Sequence, residues 1–423
     1  MVRYRVRGGN ALSGTAFIQG AKNAVLPMIG AALLAAEGRT VLRNVPIIED
    51  VRRALELAEA VGAKVQLHET ERTLVIDASN LSSPVLPAEI ARRFRGSVLF
   101  VPALLHRLGE AVIEGVGGCN LGSRNLDFHY LGYKRLGAIV DEGESVIHVK
   151  ASGLTGAPLY LDTPSHTGTE NLIMAAALAK GTTIIENAAL EPEVLDVISM
   201  LSRMGARISG GGTGFITVEG VDELTAVEHR VMPDRLDAGV FAMAAAITGG
   251  EVHLVGASLE HLGVVRWKLE QMGVEFATNG AVLSVRQDRQ LRPINVITDT
   301  YPGFATDLQS PLMTVACVAD GASYIHERIF DGRFALAGEL NKMGARIEVE
   351  GSRAVVHGPT PLTGTDVTAH DLRSGIALIL AGLVAEGETV VSPGYLIDRG
   401  HHDLALRMKA LGGDVVREIS SPS

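Results

Sequence analysis

A chain of 423 residues is longer than one hydrophobic core ordinarily organises, so two or three domains are expected. Hydrophobic residues make up 47% and aromatics only 4%, which suits helix–sheet packing, and a net charge of −10 without any basic run excludes a nucleic-acid partner. Two cysteines exclude a disulfide framework, residues 1–8 lack the apolar core of a signal peptide, and the longest apolar runs, 24–36 and 376–385, are too short to cross a bilayer, so a cytoplasmic location with no membrane partner is expected.

In chain order, residues 1–21 begin with strand-like alternation and precede the first repeating unit, free to supply a strand to the second half of the chain. Residues 31–36 are apolar on every side and predict a helix buried all round. Glu37-Gly38 ends it, with Gly38 at the left-handed cap position. Residues 40–45 read as a strand. Asp50 can cap the next helix, in which Val51, Leu55, Ala58 and Val61 recur at helical spacing until Gly62 stops it. Residues 64–67 and 73–76 then read as a strand pair, so the unit is close to βαβαββ.

That unit recurs six times. Gly62, Gly137, Gly205, Gly273, Gly344 and Gly412 follow a hydrophobic residue at intervals of 68 to 75 residues. A second set, Gly38, Gly109, Gly181, Gly250, Gly321 and Gly387, precedes the first by 23 to 28 residues. Two markers in step identify a repeat. Gly210-Gly-Gly-Thr-Gly214 resembles a phosphate-cradling loop, but in this frame it joins the last two strands of the third unit and reads as a hairpin, like Asn279-Gly280 in the fourth. Residues 229–234 form the crossing between halves. The expected domains are 22–230, and 1–21 with 231–423.

Within the second unit, residues 116–129 place Cys119 after Gly117 and Gly118 and before Gly122, with Arg124 following. Glycine at this density predicts a mobile surface loop, and a thiol beside a cation is a setting for cysteine chemistry, the alternative being an incidental cysteine in a long turn. Cys317, inside an apolar stretch, reads as a core residue.

Counting back 14 to 16 residues from the second glycine set reaches the start of each buried helix: Lys22-Asn23, Arg95, Ser165-His166-Thr167, Asp234-Arg235, Asp307 and Arg373. Ser165 and Asp307 are suited to capping as well as to function. Lys22, Arg95 and Arg373 oppose the helix dipole, and an anion bound among them would offset that cost. These starts are expected to line a cleft between the halves for a strongly anionic small molecule, with Asp307 the carboxylate placed to act as a base. Arg333 and Arg399 stand in loop-like segments, where an isolated arginine reads as a surface charge. His401-His402-Asp403 lacks the spacing of a metal site, and no metal is expected.

The stretches Gly20-Ala-Lys-Asn-Ala-Val-Leu-Pro27, Gly117-Gly-Cys-Asn-Leu-Gly-Ser-Arg124, Thr182-Thr-Ile-Ile-Glu-Asn-Ala188 with Glu191-Pro-Glu193, Pro302-Gly-Phe-Ala-Thr-Asp-Leu-Gln309, Asp371-Leu-Arg373 and Ile397-Asp-Arg-Gly400 together resemble the enolpyruvyl transferase family, on its nucleotide-sugar branch. The resemblance covers the whole chain. It implies an α/β fold of two inverse α/β barrels, each of three units, with helices inside. It implies enolpyruvyl transfer from phosphoenolpyruvate to UDP-N-acetylglucosamine, opening peptidoglycan precursor synthesis, without a cofactor, by a monomer or weak oligomer. By position, Lys22, Asn23, Arg124, Arg333, Arg373 and Arg399 are expected to hold phosphoenolpyruvate. Asn23, Arg95, Arg124, Asn125, Leu126, Asp127, Phe128, Ser165, Asp307 and Ile329 are expected to contact the nucleotide sugar. Cys119, Asp307, Lys22 and Arg399 are the expected catalytic set. The chain departs from the family pattern at Asn125, at Ser165-His-Thr-Gly-Thr169 and at Asp331-Gly332. A different acceptor, or a non-catalytic paralogue that binds nucleotide sugar, is the alternative reading.

Overall fold

A computed structural model describes residues 2–92, 95–114, 127–143, 146–330 and 332–419, with backbone only at Arg95 and Asp127. The chain forms two compact units, Gly20–Met232 and Met1–Gln19 with Pro233–Ser423, each with its own apolar core. Among the described residues no helix is long and apolar enough to cross a membrane.

Each unit contains three four-stranded sheets, all built to one plan. In Gly20–Met232, strand Pro158–Tyr160 runs parallel to Thr182–Glu186, which pairs antiparallel with Phe215–Glu219, which pairs antiparallel with Arg207–Ser209. The helix His166–Ala177 connects the parallel pair, and Pro192–Arg203 precedes the hairpin. This is the βαβαββ order expected from the glycine markers. Gly210 and Gly212, at φ 81° and 79°, turn the hairpin between Arg207–Ser209 and Phe215–Glu219. The sheet containing Thr40–Arg43 takes its outer parallel strand, Glu228–Arg230, from the end of the same unit.

In the other unit the first residues of the chain complete two sheets. Ser13–Phe17 runs parallel to Glu251–Val255, and Val2–Arg7 inserts antiparallel between Glu388–Ser392 and Asp414–Ile419. The sixth repeat therefore obtains its fourth strand from the opposite end of the sequence.

The expected barrels are not formed. Among the described residues every sheet runs linearly between two edge strands and none closes on itself. Closure requires the first and last strands to hydrogen-bond around a ring. Here each sheet has one edge strand of two to five residues held only by a parallel neighbour and a second edge strand held only by an antiparallel neighbour. The architecture is α/β, with separate mixed sheets of four strands.

In four of the repeats the first helix is buried along most of its length. Residues 24–32 of Lys22–Ala32, 168–177 of His166–Ala177, 237–247 of Arg235–Thr248 and 374–382 of Leu372–Gly382 are all inaccessible. Their Ala- and Gly-rich sequences let such helices pack on all sides. The first begins at Lys22, where the count back from Gly38 places it, but it ends at Ala32 with Leu33 as its C-cap, short of the expected 31–36 run and of Gly38. Eleven of the twelve marker glycines take positive φ; in the fourth repeat the left-handed residue is Gly249, at φ 65°, one position before the expected Gly250.

Candidate functional site

In the unit Gly20–Met232, Lys22 opens its helix and its Nζ lies 2.5 Å from Asp50 Oδ2. The buried Asp50 carboxylate thus compensates a cation that the helix dipole disfavours. Asp50 lies within Glu49–Ala60, whose N-cap is Ile48, so the expected capping role gives way to this ion pair. Asn23 is half-buried. Arg95 begins the 3-10 helix Arg95–Phe100. Cys119, Arg124, Asn125 and Leu126, with the loop expected around them, lie outside the described residues, as does the side chain of Asp127.

Asp127 and Phe128 open the helix Asp127–Arg135. Phe128 packs half-buried on the core, and a Cβ built at Gly168 would lie 3.8 Å from its Cβ, so the ring carrier borders the start of His166–Ala177. Ser165 caps that helix, its Oγ accepting from Gly168 N at 3.1 Å. Asn171 ties three elements together. Its Oδ1 accepts from Tyr133 Oη at 2.9 Å, its Nδ2 donates to Val98 O at 3.3 Å, and the same Nδ2 lies 2.6 Å from His129 Nδ1. No sequence pattern marked Asn171, and the sequence offered Asp50 only as a helix cap, because each acts on partners distant along the chain.

Glu170, one turn into the same helix, is 1% exposed, with Oε1 3.4 Å from His166 Nε2. Burial, then the charges of Glu193 and Glu191, push its carboxyl well above the ordinary value. The folded protein therefore keeps a proton that the unfolded chain releases. The stability from that proton is fully present below the unfolded carboxyl value and is lost as pH rises toward the raised folded value. Glu170→Gln cannot ionise, so its melting temperature is expected to fall less than that of the parent between about pH 5 and pH 8. Parallel melting curves against pH for the two proteins would contradict this assignment.

In the other unit, Asp307 joins two arginines. Its Oδ1 accepts from Arg373 Nε at 2.6 Å and from Arg333 Nη2 at 3.2 Å. Arg333 also donates to Thr306 O at 2.9 Å and lies over the Phe330 ring at 4.8 Å. Its Nε is buried without a hydrogen-bond partner among the described residues. Burial, and next the neighbouring Arg373 charge, push the Arg333 guanidinium down from its ordinary value, while Asp307 opposes the shift. Arg373 follows Asp371, the N-cap of Leu372–Gly382, which forms a capping box with Ser374. Burial pushes the Asp371 carboxyl up, but Arg373, Ser374 and Arg333 together outweigh it and hold it below the usual range. The arrangement presents two guanidinium groups around one carboxylate: a place for an anion beside a candidate base.

Ile329 sits in a turn held by Glu327, which is 3% exposed and accepts from Ile329 N, Phe330 N, Thr298 Oγ1 and Thr306 Oγ1 at 2.8–3.1 Å. Glu327 fixes both Ile329 and the residue before Asp307, and nothing in the sequence marked it. Arg399 is the half-buried C-cap of Tyr395–Asp398. His401 faces Asp237, and His402 Nε2 lies 3.2 Å from Asp403 Oδ2. Among the described residues no group of His, Cys, Asp or Glu has the arrangement to hold a metal ion.

A family model described as EPSP synthase (3-phosphoshikimate 1-carboxyvinyltransferase) matches residues 6–408. A UDP-N-acetylglucosamine 1-carboxyvinyltransferase from Thermobifida fusca is 74% identical over 424 residues, spanning 99% of this chain and 98% of its own length. The chain belongs to the UDP-N-acetylglucosamine 1-carboxyvinyltransferase family. A UDP-N-acetylglucosamine 1-carboxyvinyltransferase 1 from Halalkalibacterium halodurans is 43% identical over 422 residues, 100% of this chain and 96% of its own. Among solved structures, the enolpyruvyl transferase NikO from Streptomyces tendae matches with a TM-score of 0.89 at 25% identity, covering 99% of each chain. An EPSP synthase from Acinetobacter baumannii shares the fold, with a TM-score of 0.76 at 18% identity over 99% of this chain and 100% of its own. Of the departures from the UDP-N-acetylglucosamine 1-carboxyvinyltransferase pattern, Asn125 and Asp331 lie outside the described residues. Gly332 takes a left-handed φ of 79°, and His166 is the residue set against buried Glu170.

Proposed function

We propose that this chain transfers the enolpyruvyl group of phosphoenolpyruvate to the 3'-hydroxyl of UDP-N-acetylglucosamine, releasing phosphate, as the first committed step of peptidoglycan precursor synthesis in the cytoplasm. The observation that carries this reading is the 74% identity, over 99% of the chain, to a relative bearing that activity. In the proposed reaction the acceptor hydroxyl attacks C2 of the enol and gives its proton to Asp307. C3 takes a proton from the Cys119 thiol. The tetrahedral adduct then loses phosphate by cleavage of the C2–O bond, while C3 returns a proton to the Cys119 thiolate, the double bond returns and Asp307 passes its proton to the departing phosphate.

Lys22, Asn23, Arg124, Arg333, Arg373 and Arg399 are assigned to the phosphate and carboxylate, where cations stabilise the charge of the departing group. Arg333 supports this assignment: a buried guanidinium beside a second cation gains most from an incoming anion. Asn23, Arg95, Arg124, Asn125, Leu126, Asp127, Phe128, Ser165, Asp307 and Ile329 are assigned to the nucleotide sugar. The proposed steps use side chains alone.

Phosphate release from phosphoenolpyruvate tests the proposal, with UDP-N-acetylglucosamine, UDP-N-acetylgalactosamine, UDP-glucose and shikimate 3-phosphate offered in turn. UDP-N-acetylglucosamine is expected to give the highest kcat/KM. Faster release with another acceptor reassigns the substrate. Release with none, alongside retained nucleotide-sugar binding, makes the chain a binding paralogue.

A further inference from the structure

We infer that Gln19 is a positioning residue that acts through Arg399; this rests on the reading of Arg399 as a phosphoenolpyruvate ligand. Gln19 is 2% exposed and is the last residue of the N-terminal segment of its unit. Its carboxamide makes two bonds to one short segment. Nε2 donates to Gly400 O at 2.9 Å, and Oε1 accepts from His402 N at 3.3 Å. A single planar group thus brackets the backbone directly after Arg399.

Gln19 is itself held. Its N–H donates to Asp237 Oδ2 at 3.4 Å and its carbonyl accepts from Asp234 N at 2.8 Å. Asp237, 1% exposed, receives Arg407 through two bonds of 2.9 and 2.6 Å and has His401 Nδ1 at 3.6 Å. Burial pushes the Asp237 carboxyl up, but Arg407 and His401 overcome it and leave the carboxylate strongly favoured. Arg407 also donates to Phe17 O at 2.9 Å and stacks 4.3 Å over Phe241.

The opposite side of the Arg399 turn is closed by glycine contacts. A Cβ on Gly400 would come within 2.7 Å of Leu372 Cδ2, and one on Gly375 within 2.6 Å of Ile397 Cγ1. The turn is therefore pressed against Leu372–Gly382, the helix carrying Arg373, while Gln19 pins its other side. A fixed backbone shortens the search of a long, flexible guanidinium for its anion. The carboxamide supplies a donor and an acceptor from one rigid plane. Leucine fills the volume without either bond, and glutamate sets a carboxylate against Gly400 O.

The test is steady-state kinetics of the full chain carrying Gln19→Leu, Arg399→Lys and both together. Gln19→Leu is expected to raise KM for phosphoenolpyruvate about tenfold and to leave KM for UDP-N-acetylglucosamine within about twofold. The double variant is expected to lie within about twofold of Arg399→Lys, since residues acting through one contact are non-additive. A purely structural Gln19 gives a different result. Partial unfolding lowers apparent kcat with both KM values intact, and independent effects multiply in the double variant; either result overturns the inference. Gln19→Glu, which keeps the acceptor for His402 N, supplies the same KM comparison if Gln19→Leu folds poorly. An unchanged KM for phosphoenolpyruvate in Arg399→Lys alone overturns the underlying assignment of Arg399, and it is distinguished by being measured without any change at Gln19.

Discussion

Asp307→Asn is expected to lower turnover by about 10²–10⁴, the loss that follows removal of a positioned general base. The sequence alone leaves helix capping as a rival explanation for this carboxylate. The structure removes it: Ala305 and Leu308 are the N-caps of Thr306–Leu308 and Gln309–Ala316, and neither helix has a side-chain cap bond. Asp307 instead accepts from Arg333 and Arg373. Asparagine keeps an oxygen of similar placement but takes the negative charge away from two guanidinium groups, one of them only 4% exposed. Weakening these charged hydrogen bonds is expected to cost about 1.5–3 kcal/mol of stability. Inorganic phosphate is then expected to raise the melting temperature of the variant more than that of the parent, because an anion replaces the missing charge. Turnover by phosphate release and thermal unfolding with and without phosphate check the two parts. Full activity with an unchanged melting temperature makes Asp307 dispensable and removes it from the mechanism.

The repeat was legible because its markers are local. A left-handed turn after a helix favours glycine wherever it occurs, so twelve positions advertise twelve helix or strand boundaries, with a slip of one residue at Gly249. Sheet connectivity was not legible to the same depth. Whether sheets close depends on hydrogen bonds between edges far apart in sequence; that residues 1–21 supply strands to the second half was expected, but not that Val2–Arg7 lies between two strands of the sixth repeat. The site divides in the same way. The repeat frame placed Asp307 and Arg373 at equivalent helix starts, and the structure joins them across 66 residues of sequence. Glu327 escaped notice, and Asp50 was read only as a helix cap, because their roles are fixed by burial and by partners from other segments. The electrostatic argument at Lys22 called for a bound anion, whereas in the structure the Asp50 carboxylate is its partner. That ion pair makes an exchange of partners, from carboxylate to substrate phosphate, part of what the proposed role of Lys22 requires.

Cys119→Ala is expected to reduce turnover by about 10²–10⁴ while UDP-N-acetylglucosamine binding survives. The proposed reaction must deliver a proton to C3, a carbon acid, at neutral pH. A thiol with an ordinary value of about 8.5 is mostly protonated there. Alanine has none to give. Binding of the nucleotide sugar is assigned in this proposal to other residues and is expected to persist in calorimetry. The Cys119→Asp variant separates proton donation from nucleophilic or purely structural roles. A carboxyl group near about 3.9 donates only while protonated, so its activity is expected to fall as pH rises through that value, and its optimum to lie on the acid side of the parent's. The decisive measurement is kcat against pH for the parent and both variants. Near-normal turnover with Cys119→Ala, or an optimum for Cys119→Asp that coincides with the parent's, excludes Cys119 as the proton donor.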